Sequence, residues 1–185
     1  MGGHRRLWWV LGGTLAAAFT ILGFFGREVY RQAPPIPERV VSVSGRVLMT
    51  KAQILDGQQV WQSTGGQQQG SIWGHGAYQA PDWSADWLHR EATALLDIWS
   101  LAESGLRYDQ RPLEAQAALR ARLQAELRAN RYDPDSGTIT VSAERAQAMA
   151  QTAAHYRALF GGDPSLSELR EDYAMQDAAV ADPAR

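Results

Sequence analysis

The sequence predicts a mainly α fold: one N-terminal transmembrane helix, then a mostly helical domain with one or two short strands. Three observations carry this reading. Leu7–Phe25 holds no charged residue. From Thr50 to Tyr173, apolar residues recur at three- and four-residue intervals, in segments bounded by capping residues and glycines. Only Arg39–Leu48 and Thr138–Val141 carry the β-branched character of strands. A chain of 185 residues, 45% hydrophobic and 21% charged, suffices for one ordinary domain plus an appendage.

Residues 1–6 form a polar start carrying His4, Arg5 and Arg6. As a helix, Leu7–Phe25 spans roughly 28 Å, close to the hydrocarbon thickness of a bilayer. Trp8 and Trp9 fall where an interfacial aromatic belt belongs, and Arg5 and Arg6 place the N-terminus in the cytoplasm. Arg27 and Arg31 on the far side oppose that orientation. A cleaved signal peptide is the alternative, but the run is long for one and no small-residue cleavage site follows it directly. Residues 26–38 read as a linker, proline-rich over Gln32–Glu38, and residues 39–174 as the main domain. Residues 175–185 read as a frayed tail.

Within the domain, Arg39–Leu48 reads as one short strand bent at Gly45. Lys51–Gln62 reads as a helix capped by Thr50, with Ile54, Gln58 and Trp61 on one face. Thr64–Gly70 is a loop by composition. Asp82 or Ser84 caps a second helix that runs to about Glu103 and stops at Gly105. Leu88, Leu95, Ile98 and Ala102 form its expected core stripe, flanked by Trp87 and Trp99. Pro112 opens a helix with Leu119, Leu123 and Leu127 on its apolar face. Asn130–Gly137 reads as a turn and Thr138–Val141 as a strand. Ser142 caps a helix facing inward through Ala146, Met149, Ala153, Tyr156 and Phe160, and Gly161 and Gly162 stop it. Ser165 with Glu168 makes a capping box for a last short helix, with Leu166, Leu169 and Tyr173 inward.

Composition excludes several functions. A net charge of −2 with no basic stripe gives no basis for binding nucleic acid. The absence of cysteine removes disulfides, thiolate metal sites, a cysteine nucleophile and thioether-bound haem. The histidines, His4, His75, His89 and His155, fall into no zinc-ligand spacing. His75 reads as hydrogen-bonded within a glycine loop and His89 as lying on a solvated helix face; a cluster of His75, His89 and an acidic residue, serving a zinc-dependent exported enzyme, is the alternative. Asp82, Asp86, Glu91 and Asp97 recur at helical spacing. They read as helix-start charges and a solvated face rather than as paired catalytic carboxylates. No serine sits in a nucleophile elbow.

The chain is organised around Gly57–Glu91, which holds Trp61, Trp73, Trp83 and Trp87 among dense glycines. These tryptophans read as core or interface residues; stacking on sugars is the alternative. The part SIWGHGAYQAPDWSADWLHRE is similar to the N-terminal extramembrane region of quinol-dependent nitric oxide reductases. It also resembles the haem-attachment region of the c-type cytochrome subunit of cytochrome-dependent nitric oxide reductases. There, a helix ending in V-W-Q leads into C-x-x-C-H, a glycine-rich turn, and A-P-D opening the next helix. The same order stands here as Val60-Trp61-Gln62, then Gly74-His75-Gly76-Ala77-Tyr78, then Ala80-Pro81-Asp82. Laid on without a gap, the two cysteines fall on Gly66 and Gln69 and the ligating histidine on Gly70. LSELREDYA, ending at Ala174, is similar to the segment before that family's second membrane helix.

The resemblance implies a cytochrome c-like domain without haem, on the periplasmic side of a bacterial inner membrane. Its implied partners are the lipid bilayer, the remaining membrane helices of the same protein and, for the complete enzyme, quinol. Haem b, haem b3 and non-haem iron are expected in a catalytic region missing from this chain, where two NO molecules are reduced to N2O. The chain by itself is expected to carry no catalytic residue and no cofactor. Trp61, Trp73, His75, Tyr78, Pro81, Asp82, Trp83 and Trp87 are the structural or docking candidates. The alternative is a free-standing, membrane-anchored binding module using exposed Trp73, Trp83 and Trp87.

Overall fold

The computed structural model describes residues 3–68, 70–74, 82–173 and 175. The chain divides into two units, Met1–Ile36 and Pro37–Arg185. The first is built on helix α1, Gly3–Gln32. Within His4–Gln32 an 18-residue window has a mean hydropathy of 1.7, and none of that window is buried. By length and composition α1 can cross a membrane. It continues past Phe25 into the stretch expected to be linker. There Glu28 accepts a hydrogen bond from Gln32 at 2.8 Å and lies 4.0 Å from Arg31, ordinary i,i+4 and i,i+3 support for a last helical turn.

The second unit joins a small sheet to a set of helices. Where one bent strand was expected, the chain makes a hairpin, β1 (Arg39–Ser42) and β2 (Val47–Thr50). Gly45 takes φ +81° and its amide donates to the Ser42 carbonyl at 2.8 Å, reversing the chain instead of bending it. β3 (Tyr132–Asp133) and β4 (Thr138–Val141) complete a sheet of order β2-β1-β4-β3, in which only the β1–β4 pair is parallel. Two residues are too few to show a period, so β3 read as turn. The sheet buries Val40 and Val141 against Ala146, with Leu48, Met49, Ile139 and Met149 around them.

Helix α2 (Lys51–Ser63) starts with the expected Thr50 cap, strengthened into a capping box by Gln53. Helix α3 (Trp83–Ser104) is capped by Asp82, whose carboxylate accepts from the amides of Ser84 and Ala85. It ends at Gly105 in the left-handed region. Helix α4 (Leu113–Arg128) follows Pro112, and α5 (Ala143–Phe160) follows the Ser142 cap. The last short helix, α6 (Ser167–Asp172), is preceded by a 3-10 turn at Pro164–Leu166. Asp163, not Ser165, caps that turn, because its side chain reaches the Ser165 amide two residues on.

The core lies where α3 meets α5 and α4. Leu95, Leu96, Trp99, Leu119 and Ala148 form it. The buried face of α3 differs from the expected stripe. Leu88 is 53% exposed and Ala102 is exposed, while Glu91, Leu96, Trp99 and Ser100 are buried. Two neighbouring helices widen and rotate the buried face, which an apolar count over one helix does not register. Leu127, expected on the apolar face of α4, likewise lies at 38% exposure. On α5 the innermost residues are Ala146, Ala148, Thr152 and Leu159. Fully buried Ala148 lets α3 approach closely. Each fully buried leucine contributes about 1.5–3 kcal/mol.

Candidate functional site

The C-terminal end of α2, the start of α3 and the C-terminal end of α5 converge on Trp83. This residue is 7% exposed. Its ring centroid lies 6.4 Å from Trp61, 6.2 Å from Tyr156, 5.7 Å from Phe160 and 5.2 Å from Tyr173. Most of these pairs meet edge to face, the arrangement that ring quadrupoles favour. Trp87, one turn on, stacks on Tyr156 at 5.5 Å with the planes 6° apart. Residues from α2, α3, α5 and the end of α6 are thereby tied to one indole. The Nε1 atoms of Trp61 and Trp83 are buried without a hydrogen-bond partner among the described residues.

A polar girdle surrounds the rings. The Asp86 carboxylate accepts from the Tyr156 hydroxyl at 2.6 Å and from Arg90 Nε at 2.7 Å. Burial pushes the Asp86 carboxyl up, but the bonds from Tyr156 and Arg90 outweigh it and hold it below its ordinary value. Tyr156 is raised above its ordinary value by burial, then by its bond to Asp86. His155 is lowered by burial and by the nearby Arg90 charge, with Asp86 opposing. Next to this group, Glu91 accepts from Trp87 Nε1 at 3.0 Å and from Arg145 Nε at 2.7 Å. Glu91 is 3% exposed, so the reading of these carboxylates as a solvated face is wrong for Glu91. The i,i+4 spacings Asp86–Arg90 and Trp87–Glu91 were legible signals of it. The Glu91–Arg145 pair spans two helices and left none.

Beside the cluster runs a groove of about 240 Å³, lined by Ile54, Gln58, Trp61, Ile72 and Trp73. Trp73 is 60% exposed and holds φ +63°, a left-handed conformation that costs a bulky L residue about 1–2 kcal/mol. Its amide donates to Ser84 Oγ at 2.9 Å, and the Trp83 amide donates to the Ser71 carbonyl at 2.9 Å, so the strained turn is pinned to the start of α3. From Gly57 through Pro81 the sequence holds no Asp, Glu, Lys or Arg.

The structure thus brings Trp61, Asp82, Trp83 and Trp87 together, and leaves Trp73 at the surface beside them. Gly66 is buried in a 3-10 turn, Gly66–Gln68, and Gly70 is buried as well. Gln69, His75, Tyr78 and Pro81 lie outside the described residues. With Trp83 buried, it has no face free for a sugar, which removes it from the binding-module alternative. His89 is exposed on α3, and among the described residues no group of three or more His, Asp or Glu is placed to hold a metal ion.

No curated protein matches the chain. The family model for the NorB cytochrome c-like domain of nitric oxide reductase matches residues 37–185, which is the second structural unit. The chain therefore belongs to the NorB cytochrome c-like family of nitric oxide reductase.

Proposed function

We propose that this chain supplies the membrane anchor and a haem-less, extracytoplasmic cytochrome c-like domain of a quinol-dependent nitric oxide reductase. The observation that carries the reading is a cytochrome c-like family match over residues 37–185 in a chain without cysteine. A c-type haem relays electrons from a soluble donor; a domain that has lost its attachment residues fits an enzyme fed from the membrane. Quinol supplies two electrons and two protons, matching the reduction of two NO to N2O and water. In this reading haem b, haem b3 and non-haem iron belong to other membrane helices of the protein, and no residue of this chain touches the reacting atoms.

The domain's own task is to cap the membrane bundle, with the surface around Trp73 as its docking face. Charge depletion over Gly57–Pro81, an exposed indole and an adjacent apolar groove are the composition of an interface centre. α1, with the N-terminus in the cytoplasm, holds the domain at the membrane. The deciding experiment is NO consumption by the complete protein in native membranes. Reduced quinol supports turnover and reduced soluble cytochrome c does not; the opposite donor preference would overturn the assignment.

A further inference from the structure

The family's name implies a haem-binding shell, and the residues present can be tested against one. By the resemblance, residue 66 would carry the first thioether cysteine. Here it is a buried glycine facing the Trp61 indole. A Cβ added at Gly66 would press into Trp61 Cδ2 and stand 2.6 Å from Cε2 and Cε3. Ordinary carbon–carbon contact is about 3.5–4.0 Å. Trp61 cannot simply swing aside, because its ring is half-buried and packed edge to face on Trp83. At residue 70, where the haem-ligating histidine would stand, Gly70 is buried at φ +155°, which residues with a Cβ rarely adopt. The site does not fit a thioether-bound haem.

We infer that the Trp61–Gly66 contact is a lock that closes this shell. The indole fills the volume that a side chain at residue 66 needs, and the glycine is required so that Trp61 can reach Trp83. The loss of the haem is on this view built into the packing and not merely into the missing cysteines. The V-W-Q tryptophan is shared with the haem-carrying relatives, so what closes the site here is Trp61 held against Trp83, and restoring the attachment motif does not reopen it while that contact stands. The inference rests on the haem-less reading of the domain, and is independent of which donor feeds the enzyme.

Melting of the full-length, detergent-purified chain tests it. Gly66→Ala adds only the clashing carbon and should lower the melting temperature by roughly 3–10 °C. Gly57→Ala, on α2 with nothing within 4 Å of its added carbon, is the control and should lose nothing. In a Trp61→Ala background, Gly66→Ala should cost less than about a third as much. Should Gly66→Ala fail to fold, recovery of a folded protein in the double variant supports the lock, and failure of the double where Trp61→Ala folds overturns it. An unchanged melting temperature for Gly66→Ala, or an equal loss with and without Trp61, also overturns it. Co-expressed with a c-type haem maturation system, Gly66→Cys/Gln69→Cys/Gly70→His should yield no natively melting protein with covalent haem unless Trp61→Ala is added. Covalent haem in a natively melting protein with Trp61 intact would sink the inference. None of these readouts depends on NO turnover, so a failed donor assay and a failed lock are told apart.

Discussion

Removing Arg145 isolates a polar contact that joins α5 to the buried Glu91 of α3. Glu91 is 3% exposed, and Arg145 Nε lies 2.7 Å from its Oε1, with Trp87 Nε1 3.0 Å from its Oε2. Arg145→Ala leaves that carboxylate buried with one neutral donor. Breaking a buried pair from one side costs about 3–5 kcal/mol. The Arg145 side chain is still 20% exposed, so water reaches the vacated space and the lower end, about 3 kcal/mol, applies. At about 2–4 °C per kcal/mol for a chain of this size, the melting temperature falls by roughly 6–12 °C. The assay is thermal melting of the full chain in detergent, followed by tryptophan fluorescence, to which Trp87 contributes with the other six tryptophans. Glu91→Gln/Arg145→Met removes both charges and keeps the volume, and should recover most of the loss. A loss under about 1 kcal/mol for Arg145→Ala would refute the claim that this pair, with Glu91 buried, ties α3 to α5.

Leu95→Ala, at a fully buried position, should cost about 2–5 kcal/mol, whereas Leu88→Ala, at 53% exposure, should cost under about 0.5 in the same melts. Asp86 is held below its ordinary 3.8, so its contribution is present above that value and is lost as pH falls below it; Asp86→Asn should flatten that acid limb in melts across pH. His155 is held below 6.5, so the unfolded chain binds its proton first and stability declines as pH drops below 6.5; His155→Gln should remove that decline. Trp73→Ala in the complete enzyme should weaken assembly or quinol turnover without lowering the domain's melting temperature. Normal assembly and turnover would end the docking proposal.

Residues whose partners are local were legible in the chain. Thr50, Asp82 and Ser142 cap helices because a short oxygen-bearing side chain reaches an amide two or three residues on, and that geometry is written in adjacent letters. The uncharged run Leu7–Phe25 reads directly as a long apolar helix for the same reason. The candidate site was half legible: the tryptophans marked the region, but not which of them is the hub. Trp73 and Trp83 look alike in sequence, yet one is 60% and the other 7% exposed.

The sequence by itself determined the long helices, the caps of α2, α3 and α5, the apolar N-terminal run and the missing thiols, since each depends on a residue and its near neighbours. Only the tertiary structure decided that Trp83 is a hub, that Glu91 is buried against Arg145 and that Gly66 leaves room for nothing but Trp61. Those outcomes depend on which side chains arrive from helices tens of residues away, and steric exclusion and desolvation act on the assembled packing, not on the order of residues.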